Sequence, residues 1–456
     1  MRTRARSSLL VAFSLDLPFI AIALTLLLLG LSRAALAEKT RITFYEHIVP
    51  ILEGHCVVCH RPNEMAPMSL IQYEEVRPWA KAIKREVVAR RMPPFHADGP
   101  IGLWRDDPRL SDDQIETISS WVDSGAPRGT LQHMRETQTL KATKWPLGQP
   151  DLIIPFRPYV TPGNGEDQHV FLVAKYSFDQ ETWIESIQWS IRNKRILHHA
   201  SLRLLLIPEE IAKYFHGMSV DSNALRVNQE FSEHIPMSLY LPGSKPYRFP
   251  AQRALRFPED SGLVIVAHYA PTDQKESDTI EVGLTFADGP YWEYPLDARL
   301  VKSTLHVIKN SGRELREILD IPPHAENYSL KAERLVTEDS ILWGGFAHMH
   351  LRGKSFGVTA YFPDETHRSL FRVSSYSFDW QRLYLYVDPV ILPKGTRLEY
   401  EWVWDNSASN PHNPNPDVRV RFGGRTIDEM PGGAIMVSPL QEHQDPIALS
   451  RGMRRK

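Results

Sequence analysis

Leu398-Glu399-Tyr400-Glu401-Trp402-Val403-Trp404 alternates strictly between apolar and acidic or small positions. Successive strand residues point to opposite faces, so Leu398, Tyr400, Trp402 and Trp404 share one face and both glutamates lie on the other. Such alternation marks a strand with one buried face. Further strand-like runs recur between turn signals, over His169–Ser177, Ala200–Ile207, Gly262–Ala270, Ile280–Phe286 and Gly357–Phe362. The 35 prolines exceed the usual share of about 5%, and proline is costly inside helices. The expected fold class is mainly β, with antiparallel sheets. The stretch 151–440 is too long for one compact sandwich. It reads as two tandem antiparallel, jelly-roll-like β-sandwiches, 151–295 and 296–440, with a seam near residues 290–300. Residues 129–150 lack periodicity and read as a linker.

With 456 residues the chain has room for two or three domains. A formal net charge of −2 offers no basic excess for nucleic acid. Arg2, Arg4 and Arg6 precede an apolar run from Leu17 to Leu31 and a small-residue site, Ala35-Leu36-Ala37. Residues 1–37 therefore read as a secretory signal peptide cleaved after Ala37, with a retained N-terminal anchor as the alternative. The expected location is periplasmic or secreted. No second apolar run is long enough to span a bilayer. The tail, 441–456, ends in Arg454-Arg455-Lys456 and reads as disordered.

The only two cysteines stand in Cys56-Val57-Val58-Cys59-His60. Two thiols at this spacing reach the two vinyl groups of a haem, and the next residue sets an imidazole under the iron. A zinc site would want more cysteines, and a redox dithiol would not need the histidine. The pattern thus predicts covalent haem c held by Cys56, Cys59 and His60, in an all-α domain over 42–128. Glu75–Arg90 reads as one helix with Val76, Trp79, Ile83 and Val87 inward and Pro78 in its first turn. Ser111-Asp112-Asp113-Gln114 is a capping-box start for a second helix that ends near Gly125. Met92, in Arg91-Met92-Pro93-Pro94-Phe95 between them, is a candidate sixth iron ligand, with Met65 and Met68 as rivals. Phe44 to Arg128 resembles the small cytochrome c modules that precede other domains in exported bacterial proteins. In those, a Met-Pro-Pro-aromatic loop supplies the ligand, which favours Met92.

The chain has 18 histidines. His198 and His199 are adjacent, so both meet one ion only where a bulge or strand end bends the chain. His268 ends an apolar strand, where a core role competes with ligation. His348 and His350 are two apart and can face one ion from a strand. Phe346 keeps that face partly apolar, while Arg352 and Lys354 mark a solvated end. Two imidazoles completed by Met430, in Asp428-Glu429-Met430, would select copper over zinc, because a thioether suits Cu(I). His96, His306, His324 and His412 read as ordinary solvated groups. Asp405-Asn406 reads as a turn shaping the approach to Met430.

Leu197-His198-His199-Ala200, Ala267-His268-Tyr269, His348-Met349-His350-Leu351-Arg352-Gly353-Lys354 and Asp428-Glu429-Met430 occur in that order. Together they resemble the ligand motifs of the copper type II, ascorbate-dependent monooxygenases, the family of peptidylglycine α-hydroxylating monooxygenase and dopamine β-monooxygenase. The resemblance runs from about Asp151 to about Met436. It implies that His198, His199 and His268 hold an electron-storing copper, and that His348, His350 and Met430 hold the copper that binds O2. It also implies two β-sandwiches facing each other across a solvent-filled cleft. The disulfides of the animal enzymes have no counterpart, because both cysteines belong to the haem motif. Their substrate-binding residues have no match either, so a small-molecule or peptide substrate stays open. The expected protein is a haem- and copper-dependent monooxygenase using O2, with haem c replacing or relaying ascorbate or another reductant. An electron-transfer or copper-binding protein without hydroxylase activity is the alternative, and a sandwich that docks a partner is a third.

Overall fold

The computed structural model describes residues 42–130, 143–166, 168–206, 219–221, 235–249, 253–259, 261–270, 272–288, 292–293, 315–423 and 425–440. The expected signal peptide, most of the seam, His306 and the tail lie outside them. The described chain is mainly β, and no described helix is long and apolar enough to cross a membrane.

Regular elements before the linker are helical. The main ones are α1 (Val49–His55), α2 (Ala80–Val88) and α3 (Asp112–Asp123). Phe44, Leu52, Val76, Val87, Ile118 and Trp121 form their shared core. The single helix expected over Glu75–Arg90 is broken into a turn of helix at Tyr73–Val76, a 3-10 turn at Arg77–Trp79, and α2. Pro78 lacks an N–H and cannot sit in an unbroken ladder. The break turns Trp79 outward, 45% exposed, while Val76, Ile83 and Val87 stay buried. The Ser111 hydroxyl accepts from the Gln114 N–H and the Gln114 side chain accepts from the Ser111 N–H, which closes the capping box of α3.

The first β region is built mainly from β1 (Gln168–Ser177), β2 (Thr182–Ile191), β3 (Leu197–Leu206), β4 (Ile235–Tyr240), β5 (Ser261–Tyr269) and β6 (Ile280–Phe286). In a five-stranded sheet, β5 lies between β1 and β3, and β4 lies beyond β3. β2 and β6 are neighbours in a six-stranded sheet. Leu172 and Ile265 from one sheet and Ile187 and Val282 from the other belong to one buried cluster. The last part of the expected linker is docked here. The Leu147 N–H donates to Gln188 Oε1 at 2.8 Å, and Gln188 Nε2 donates back to the Gly148 carbonyl at 3.1 Å.

The second β region contains β7 (Ser340–His348), β8 (Gly353–Tyr361), β9 (His367–Val373), β10 (Tyr384–Leu392), β11 (Arg397–Trp404) and β12 (Gly432–Pro439). β8 and β11 are central in a four-stranded sheet, and β7 is central in a three-stranded one. β11 alternates partly buried and buried residues along its whole length, with Leu398, Tyr400, Trp402 and Trp404 inward. Burying each such side chain contributes about 1.5–3 kcal/mol or more. Trp343 and Met436 of this region join the core of the first, so the two β regions abut.

The helical part is clamped between both. The Glu64 carboxylate receives Arg61 at 2.9 Å and Lys194 of the first β region at 2.8 Å. Segment 95–105 runs along the second β region. Asp98 N–H donates to the Arg372 carbonyl at 2.9 Å, and Arg105 N–H to the Leu385 carbonyl at 2.7 Å. Trp104 is buried in the second region's core and packs on Tyr386, with ring centroids 4.4 Å apart.

Candidate metal centre

His199 and His268 are direct cross-strand partners on β3 and β5, and the register then slips so that Tyr269 faces Leu197. His198 is the extra residue at that slip. A bulge re-aims a side chain, and here it brings neighbouring histidines to one point. His198 Nδ1 lies 3.2 Å from His199 Nδ1 and 3.2 Å from His268 Nδ1. Metal–nitrogen bonds of about 2.0–2.1 Å place ligand nitrogens of a tetrahedral or trigonal site about 3.3–3.6 Å apart. The three atoms therefore surround a point that one ion could occupy. Burial and the surrounding imidazoles push His268 down to about 3 and hold His199 well below its ordinary value. Neutral rings are the form that binds a metal. His198 Nε2 lies 3.6 Å from Asp379 Oδ1. An Nε2–H facing that carboxylate leaves Nδ1 as the lone-pair atom.

His348 closes β7 and pairs with Gly432 of β12. His350 stands just beyond the strand end, so the expected pair on one strand face is a pair around a turn. Their ring centroids are 5.5 Å apart. His348 Nδ1 is hydrogen-bonded to Gln381 Oε1, and His350 Nδ1 to the Asp428 carbonyl at 3.1 Å. Both acceptors fix the proton on Nδ1, which leaves both Nε2 atoms to ligate. Gly432 matters for close approach, because a Cβ there would lie 2.6 Å from the His348 ring. Met430 is half-buried and lies between Asp428, which touches His350, and Gly432, which faces His348.

The expectation that Arg352 marks a solvated end is corrected. Arg352 is 1% exposed. Its guanidinium donates to Asn406 Oδ1 at 2.7 Å and to the Ile427 carbonyl at 2.8 Å. Asn406 thus braces Arg352 from the Asp405-Asn406 turn. Glu429 is fully buried. It accepts from the His350 N–H at 2.9 Å, the Arg352 N–H at 2.7 Å and Trp404 Nε1 at 2.9 Å. Burial pushes its carboxyl up to about 7. This one carboxylate joins both halves of the second group, since Met430 N–H also reaches it at 3.3 Å.

Sequence reasoning gave no role to His169, which stacks on His268 at 4.2 Å with a 9° tilt. The register puts it opposite His268 on β1. It also missed the loop between β9 and β10. Phe378, Asp379 and Gln381 there touch histidines of both groups. Nothing local distinguishes Tyr376-Ser377-Phe378-Asp379-Trp380-Gln381 from an ordinary polar-aromatic loop. His96 is corrected too. It packs inward, and burial lowers its imidazole. His324 and His412 are exposed, as expected.

Cys56 and Cys59 are both half-buried and are not joined in a disulfide. His60 Nδ1 is hydrogen-bonded to the Met68 carbonyl at 3.3 Å, which leaves Nε2 available for iron. Met68 packs against the helical core, whereas Met92 is 41% exposed. Cys59 meets the first β region at Gly243, where a Cβ would lie 2.6 Å from the thiol sulfur. Gly243 also has φ +75°, a conformation that favours glycine.

No family model matches the chain, and no curated protein matches it. Among solved structures, a structure of the Gx strain of infectious bursal disease virus is similar at 12% identity. It covers 67% of this chain and 78% of its own, with a TM-score of 0.15. A single-residue variant of the oxalate decarboxylase of Bacillus subtilis is similar at 9% identity, covering 52% of this chain and 67% of its own, with a TM-score of 0.13.

Proposed function

We propose that the chain is an exported haem- and copper-dependent monooxygenase, of the copper type II, ascorbate-dependent kind, that hydroxylates a C–H bond with O2. On this reading the β body is two tandem antiparallel sandwiches behind an all-α cytochrome c module. The carrying observation is the convergence of the His198, His199 and His268 Nδ1 atoms. The second histidine pair, with both Nδ1 atoms already engaged, supports it.

His198, His199 and His268 would hold one copper through Nδ1, and His348, His350 and Met430 would hold the other. Cys56, Cys59 and His60 would hold haem c, with Met92 as its proposed sixth ligand. When bound, these groups supply the single electrons that O2-dependent hydroxylation consumes, with ascorbate or a redox protein as the outside donor. The chain's own residues do the rest. Burial keeps His199, His268, His348 and His350 neutral, Gln381 and the Asp428 carbonyl hold the protons of His348 and His350 on Nδ1, and the Asp379 carboxylate faces His198 Nε2. Glu429 ties the His350 turn to the Met430 segment. The soft Met430 donor favours copper over zinc. The seating of the helical part against both β regions supports electron delivery without a swinging domain.

Metal analysis tests the reading. Two coppers and one haem per chain, with O2 uptake under a reductant and haem reoxidation that depends on copper, are expected. One haem without copper overturns it. Copper bound without O2 uptake under any reductant leaves an electron carrier.

A further inference from the structure

The loop between β9 and β10 touches both histidine groups. The Phe378 ring centroid lies 6.2 Å from the His268 ring and 6.2 Å from the His350 ring. The His268 and His350 rings are therefore no more than twice that distance apart, and one aromatic ring contacts both. Asp379 reaches His198 and Gln381 reaches His348. The loop is itself braced. The Tyr376 hydroxyl accepts from the Met349 N–H at 3.0 Å and donates to the Met349 carbonyl at 2.6 Å. Gln381 Nε2 donates to the Phe378 carbonyl at 2.8 Å. One amide thus fixes both the His348 ring and the main chain that carries Phe378.

We infer that Phe378, Asp379 and Gln381 form a shared positioning bridge, which orients one ligand histidine in each site and sets the spacing between the sites. The inference rests on the metal reading above and adds to it. Asp379 faces His198 Nε2 and frees Nδ1, whereas Gln381 takes His348 Nδ1–H and frees Nε2. The bridge imposes opposite tautomers on the two groups. Phe378 sets one ring against a histidine of each group. A residue whose backbone is held by the amide that orients His348 transmits any displacement of one group to the other.

Two measurements separate the bridge from the metal reading. The first uses metal-free protein and imidazole 15N spectra. Wild type is expected to show His198 protonated on Nε2 and His348 on Nδ1. Gln381→Leu is expected to release the His348 tautomer and leave His198 unchanged, and Asp379→Asn to do the reverse. The second uses Cu(II) as the probe. Gln381→Leu is expected to weaken the His348 site by about 10–100-fold, and Asp379→Asn the His198 site by a similar factor. Phe378→Ala is expected to keep both copper spectra but broaden the dipolar distance distribution between the ions, with Phe378→Trp restoring it. Unchanged tautomers in Gln381→Leu and Asp379→Asn overturn the positioning roles. An unchanged distance distribution in Phe378→Ala overturns the spacing role. A wild type with the stated tautomers that takes up no copper keeps the orientation and sinks the metal reading alone.

Discussion

At the scale of single residues, the buried histidines make part of the protein's stability depend on pH. His268 is pushed down to about 3 by burial and by His169 and His198, and His350 to about 4 by burial and His348. In the unfolded chain both return toward the ordinary 6.5. The unfolded state then binds more protons below that pH. Stability carried by the neutral rings is present above pH 6.5 and is lost as the pH falls through the two lowered values. The unfolding free energy of the metal-free protein should therefore fall below pH 6.5, by up to about 1.4 kcal/mol per pH unit for each such ring, read out as a falling melting temperature. His268→Gln should flatten that slope, and an unchanged slope would show that the ring is not the titrating group. Glu429 gives a second residue-scale prediction. It accepts three strong hydrogen bonds in a fully buried setting. Glu429→Ala should cost about 3 kcal/mol or more, visible in denaturant unfolding. It should also loosen copper at the His348 site while sparing the His198 site.

At the scale of elements, the bulge at His198 and the break at Pro78 show what alternation and periodicity reveal and what they omit. Alternation in β11 was legible because one face of that strand is buried along its whole length. The adjacency of His198 and His199 was legible as a requirement, a bend in the chain, and the register slip supplies one. Arg352 was misread because its partners, Asn406 and the Ile427 carbonyl, lie 54 and 75 positions away. A charged residue at a strand end looks solvated until such partners are known. Trp79 was misread because a helical stripe was extended through a proline. An element-scale prediction concerns Gly243. Alanine there must hold φ +75° and meet the Cys59 sulfur. Gly243→Ala should destabilise by about 1–3 kcal/mol. Limited proteolysis should cut between the helical part and the β body faster in the variant. Equal cutting rates would mean that the contact does not hold the two together.

At the scale of the molecule, the mainly β class was legible but the seating of the helical part was not. Motifs lie within short runs, whereas seating depends on pairs such as His96 and Tyr384, 288 positions apart. If the proposed haem relay holds, the seating predicts that Gly-Ser residues inserted between positions 131 and 142 leave the haem-to-copper transfer rate unchanged. A rate that falls with insert length would mean that the helical part must travel. Trp104 carries a different consequence. It belongs by sequence to the helical module and by packing to the core beside Phe371 and Tyr386. During synthesis it leaves the ribosome long before those partners exist. Until the last third of the chain emerges, an indole meant for a core faces water. The helical part is thus made early and finished late, and whatever attends the chain as it folds must tolerate that wait.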